Sequence, residues 1–86
     1  MYVVVFESAL LADADTRALD QLDAAAHDEA WLSGGLIKYY AKRDLSFCIW
    51  ESKEDAARAK DLPRHREAVK RLDEFYLWYE VTAYES

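Results

Sequence analysis

The chemistry open to this 86-residue sequence rests on two histidines, six tyrosines, one cysteine and seventeen carboxylates. His65 follows the only proline, in Leu62-Pro63-Arg64-His65. From it, Ala68, Val69, Leu72, Phe75 and Tyr76 fall at i+3, i+4, i+7, i+10 and i+11, so the imidazole shares the apolar stripe of a helix that Pro63 restarts. A helix N-terminus lowers an imidazole's pKa and favours the neutral form, which can take a proton; a hydrogen-bonded core histidine is the alternative. His27 lies among Asp23, Asp28 and Glu29, slightly off the Leu19/Leu22/Ala26 stripe, as a solvated flank residue would. Tyr39, Tyr40, Tyr79 and Tyr84 read as packing groups, of which one or two facing a cavity could donate a phenolic proton to a carbonyl oxygen. Glu80 shares a strand face with Trp78, and a carboxylate beside aromatics and away from water has a raised pKa; a salt bridge with Lys38, Lys42 or Arg43 is the competing outcome. Cys48 is alone, so no internal disulfide can form, and its apolar run favours a buried, unreactive thiol. The histidines and the cysteine are too scattered for a zinc site, so no metal is expected, and no nucleotide-binding glycine pattern, P-loop or serine nucleophile motif occurs.

Six elements must position these groups. Residues 2–7 (YVVVFE) are β-branched and aromatic and predict a strand. Asp13, Asp15 or Thr16 can cap a helix with apolar positions Leu19, Leu22, Ala26 and Ala30, which ends near Ser33-Gly34-Gly35, with Trp31 closing the core. Residues 36–41 and 45–51 predict a hairpin around Lys42-Arg43-Asp44. Ser52 with Asp55 resembles a capping box and opens a second helix, interrupted at Pro63, and residues 77–84 (LWYEVTAY) predict the last strand. The order β-α-β-β-α-β is the ferredoxin-like split βαβ arrangement: one α+β domain over residues 1–86, a four-stranded antiparallel sheet with both helices on one face.

The alternation within the strands bears on partners. Trp78, Glu80, Thr82 and Tyr84 oppose Tyr79, Val81 and Ala83, while Phe47 and Ile49 oppose Ser46, Cys48 and Trp50, so both sheet faces carry large apolar groups. A sheet wetted on one side alternates more cleanly, and an uncovered aromatic face is a patch that monomers avoid. A homodimer pressed sheet to sheet around an aromatic and polar cavity is therefore expected, adding burial that so short a chain lacks. The net charge of −6 sits on residues 1–35, where seven acids meet only Arg17, which argues against nucleic acid or an anionic membrane as partner. No apolar run approaches the roughly 20 residues that cross a bilayer, and MYVVVFES lacks the basic flank of a secretory signal, so a cytoplasmic location is expected.

The stretch WESKEDAARAKDLPRHREA, residues 50–68, resembles the dimeric α+β barrel superfamily, which includes antibiotic-biosynthesis monooxygenases, stress-response A/B barrel proteins and a plant polyketide cyclase. The resemblance lies in the aromatic Trp50, Glu51-Ser52, Glu54 and Pro63-Arg64-His65, and the element order extends it along nearly the whole chain. It implies His65 as general base. Tyr2 falls where the cyclase has a second histidine, and Ala59 where it has a tyrosine. Haem-degrading relatives use an asparagine and a later histidine; this chain has no asparagine and carries Val69 at that place, which disfavours haem breakdown. Such proteins often act without a cofactor on a hydrophobic molecule. The expectation is a cofactor-free enzyme, cyclase-, isomerase- or lyase-like, acting on a polyketide-type or aromatic carbonyl compound. Its catalytic residues would be His65, Tyr40 and Tyr2, and its substrate-binding residues Trp50, Trp78, Glu80, Tyr84 and Cys48. A cofactor-free monooxygenase on a phenol and a non-catalytic binding or dimeric interaction module are the alternatives.

Overall fold

The β-branched N-terminal run forms strand β1, Tyr2–Leu10, in a computed structural model that describes all of residues 1–86. The strand runs past the predicted end at Glu7, because Ser8 and Ala9 find register partners in Tyr79 and Trp78 and the Ser8 amide donates to the Asp44 carbonyl at 3.1 Å. Pairing partners distant in sequence thus extend a strand that local pattern ends early.

Helix α1, Thr16–Ser33, begins where the Asp15 carboxylate accepts from the Ala18 amide at 3.1 Å. Gly34 and Gly35 follow with φ of 90° and 86°. At Gly35 the requirement is double: the left-handed backbone excludes most side chains, and a Cβ would run into Asp55. Strands β2, Leu36–Ala41, and β3, Leu45–Trp50, form the predicted hairpin. Helix α2, Lys53–Lys60, is capped by Ser52, whose hydroxyl accepts from the Asp55 amide at 3.1 Å and donates to the Asp55 carboxylate at 2.8 Å.

Pro63 does what a residue without an amide hydrogen and with a fixed φ must do. Helix α2 ends at Lys60, and α3, Pro63–Lys70, starts with the proline in its first turn. A short α4, Leu72–Phe75, buries Phe75 and leads into β4, Tyr76–Glu85. The predicted single stripe from His65 to Tyr76 is therefore broken: Val69 is 51% exposed, whereas Phe75 is 3% exposed.

The strands are antiparallel in the order β2-β3-β1-β4, the ferredoxin-like topology. The helices cover one face, where Leu36, Trp50 and Ala59 form the buried centre with Tyr2, Val4, Tyr39, Cys48 and Leu62 packed around it. The register puts Val3, Val5, Phe47, Ile49, Tyr40, Trp78 and Tyr84 on the opposite face. The core is small: Leu19, Leu36, Trp50, Ala59 and Phe75 are its buried apolar residues. Trp31 does not close it, since it is 59% exposed at the last turn of α1. No helix is long and apolar enough to cross a membrane.

Candidate functional site

The sheet divides the sequence-predicted site residues into two sets. Tyr2, Cys48 and Trp50 point to the helices, while Tyr40, Trp78, Glu80 and Tyr84 lie on the open face. One cavity of a single chain cannot be lined by both sets, because the pleat sends alternate side chains to opposite sides. Trp50 is 5% exposed and is a core residue rather than a lining one. On the open face Tyr40 stacks on Phe47 at 5.1 Å between ring centroids, and Lys42 Nζ sits 6.0 Å from the Tyr40 ring.

His65 occupies the first turn of α3. Its Nδ1 is buried without a hydrogen-bond partner. Burial pushes its pKa down and favours the neutral form, with the Lys60 ammonium acting in the same sense and the Lys60 carbonyl, Glu29 and Asp61 opposing. The neighbouring Arg64 amide donates to Glu29 Oε1 at 2.9 Å, which ties the start of α3 to α1.

A different set of reactive groups converges between α1 and the sheet. Leu19, Asp23 and His27 recur every four residues along α1 and so share one side of it. Tyr39 and Cys48 are cross-strand partners on the helix-facing side of β2 and β3, and Tyr76 begins β4. His27 packs on Tyr39 with centroids 4.5 Å apart and a 33° interplanar angle, so the reading of His27 as a solvated flank residue is corrected. Phe6 meets Tyr76 edge-on at 5.2 Å and stacks on Tyr79 at 5.9 Å, forming an aromatic wall. A cleft of about 200 Å³ opens here, lined among others by Leu10, Leu19, Asp20, Asp23, Arg43 and Tyr76.

The electrostatics of this cleft are set by partial burial. The Asp23 carboxyl is pushed up to about 6, first by desolvation and then by the Asp20 charge. Desolvation raises the Tyr39 phenol to about 12, with Asp23, Cys48 and Tyr76 adding to it. It raises Tyr76 likewise to about 12, with Asp23 and Asp20 adding. Both phenols therefore stay protonated and able to donate. Burial pushes the Cys48 thiol up to about 11, which leaves it a poor nucleophile. No three His, Cys, Asp or Glu side chains converge closely enough to hold a metal ion. Chemically, the cleft offers one carboxyl raised toward neutrality and one phenolic donor, Tyr76, with the Tyr39 phenol behind them.

Asp23 and Tyr76 are the residues that sequence reasoning missed. The signal was present: Asp23 lies four residues after Leu19 and three before Ala26, a carboxylate on the apolar stripe of an otherwise amphipathic helix.

This architecture is shared with known structures. Rv0793 from Mycobacterium tuberculosis superposes with a TM-score of 0.83 at 17% identity, covering 99% of this chain and 93% of that one. An antibiotic biosynthesis monooxygenase structure matches with a TM-score of 0.79 at 11% identity, covering 100% and 98% of the two chains. A dabb family protein with a ferredoxin-like fold from Mesorhizobium loti matches at 0.70 and 12% identity, over 99% and 95%. At these identities the likeness is one of fold, and it is the fold of the superfamily that the Pro63-Arg64-His65 segment resembles. In sequence, the UPF0643 protein PB2B2.08 of Schizosaccharomyces pombe is 31% identical over 96 residues, an alignment covering 98% of this chain and 44% of that protein. The chain thus spans less than half the length of this curated relative. A family model described as PB2B2.08-like matches residues 1–85, and the chain accordingly belongs to the PB2B2.08-like family.

Proposed function

We propose that this protein is a cofactor-independent enzyme that moves a proton on a small aromatic carbonyl compound, bound in the cleft between α1 and the sheet. The observation that carries the reading is that Asp23, its carboxyl pushed up to about 6 by burial, and the phenol of Tyr76 line the same cleft, with Tyr39 packed behind Asp23. A carboxyl pushed up from the usual carboxylate range toward neutrality suits a group that takes a proton and later returns it. A carbon acid held against it would lose its proton to Asp23, and a phenol hydrogen-bonded to the carbonyl oxygen would stabilise the enolate that results. The antibiotic biosynthesis monooxygenase among the fold relatives supports oxygen chemistry as the branch that follows enolate or phenolate formation.

The test is deuterium exchange. Incubated with benzoylacetone in D2O, the protein should speed exchange of the acidic C–H over buffer, and Asp23→Asn should remove the acceleration. Equal exchange by wild type and variant would reject Asp23 as the base. Oxygen uptake with an electron-rich phenol separates the monooxygenase branch from simple proton transfer.

A second reading keeps His65 as the base, favoured by its buried and unpartnered Nδ1. Here His65→Gln, rather than Asp23→Asn, would abolish exchange.

The open sheet face supports a homodimer. Trp78 is 50% and Tyr84 58% exposed on it, beside Leu45, Phe47 and Ile49, an apolar surface that a second copy would cover. Sedimentation at micromolar concentration should give twice the chain mass, and Phe47→Glu should halve it; a wild-type monomer would refute the dimer.

A further inference from the structure

Taking the α1–sheet cleft as the site, we propose that Arg43 selects its ligand: a single-ring aromatic compound carrying a carboxylate, with the carboxylate at the β2–β3 hairpin and the ring directed toward Tyr76 and Asp23.

Size sets the ring count. The cleft holds about 200 Å³, and an apolar cavity of about 150 Å³ already admits benzene, so one substituted ring fits and a fused polycycle would protrude. Tyr76, which lines the cleft and is held edge-on against Phe6 at 5.2 Å, supplies an aromatic contact for that ring.

Charge sets the substituent. Four charged residues line the cleft, Asp20 and Asp23 from α1 and Lys42 and Arg43 from the hairpin. The Lys42 ammonium lies 6.0 Å from the Tyr40 ring, on the far side of the sheet, which leaves Arg43 as the other cation of the lining. The molecule's ion pairs join Arg58 to Asp55 and Arg71 to Glu74, so neither carboxylate of the cleft is paired with Arg43. A guanidinium offers a planar fork of donors matched to a carboxylate. An amine-bearing ring would instead be drawn to Asp20 and Asp23, and an ammonium against Asp23 would hold its carboxylate charged and weaken it as a base. The acids thus come from α1 and the arginine from the β2–β3 hairpin, two different elements of the same lining.

The experiment titrates wild type, Arg43→Gln and Arg43→Lys with benzoate, benzamide and benzylamine, following backbone amide NMR shifts around Asp23, Arg43 and Tyr76. Arg43 lies on the exposed hairpin, so both variants should keep the fold. Wild type should bind benzoate about tenfold or more tightly than benzamide, the effect of a hydrogen bond to a charged group. Arg43→Gln should bring benzoate down to the benzamide level, and Arg43→Lys should retain part of the preference. Equal binding of benzoate and benzamide, tighter binding of benzylamine, or an unchanged benzoate affinity in Arg43→Gln would overturn the assignment of Arg43 while leaving the cleft as a ligand site. If none of the three probes shifts the cleft amides, both the assignment and the cleft reading fail.

Discussion

Replacing Asp23 by Asn should stabilise the protein at neutral pH and do so in a pH-dependent way. A carboxyl whose pKa rises from 3.8 unfolded to about 6 folded binds its proton more tightly in the folded state. The folded state is therefore favoured most below about pH 4, and that advantage is lost as pH rises through 6. A shift of that size corresponds to about 3 kcal/mol if fully expressed. Asp23 is only half-buried, and water at the cleft mouth screens it, so about 1 kcal/mol is expected at pH 7.5. Asn has nearly the same shape and carries no charge to desolvate. Urea denaturation of wild type and Asp23→Asn at fixed protein concentration, in half-unit steps from pH 4 to 8, reads the difference directly. The curves should coincide near pH 4, diverge between 4 and 6, and run parallel above 7 with the variant ahead; in heat this is about 4–8 °C. A variant less stable than wild type at pH 7.5, or an offset that does not change with pH, would refute the claim that burial strains the carboxylate.

Three further outcomes rest on packing and electrostatics. In a spectrophotometric titration at 295 nm, two phenols should ionise only near pH 12, and Tyr39→Phe and Tyr76→Phe should each remove one of them. Cys48 should react with Ellman's reagent far more slowly in the native protein than in urea at pH 8, because burial pushes its thiol up to about 11. Gly35→Ala should cost more than Gly34→Ala by circular-dichroism melting: both force a side chain into the left-handed region, at about 1–2 kcal/mol, but only at Gly35 does the added methyl meet Asp55.

The sequence alone determined the element order, the punctuation and the two-sided character of the sheet. Those features are local: a proline without an amide hydrogen ends α2 wherever it folds, Ser52 caps the helix that begins at Lys53, and alternate strand residues diverge in any sheet. Local pattern could not say which apolar face the helices would cover, since both faces offered aromatics, and so it assigned Trp50 and Cys48 to the same cavity as Trp78 and Tyr84. The strand order and the packing of α1 decided that question, burying Trp50 and leaving Trp78 half exposed. The same packing made the cleft. Asp23, Tyr39 and Tyr76 lie on three different elements, α1, β2 and β4, and their altered proton affinities arise from burial and mutual charge, which exist only once helix and sheet have met.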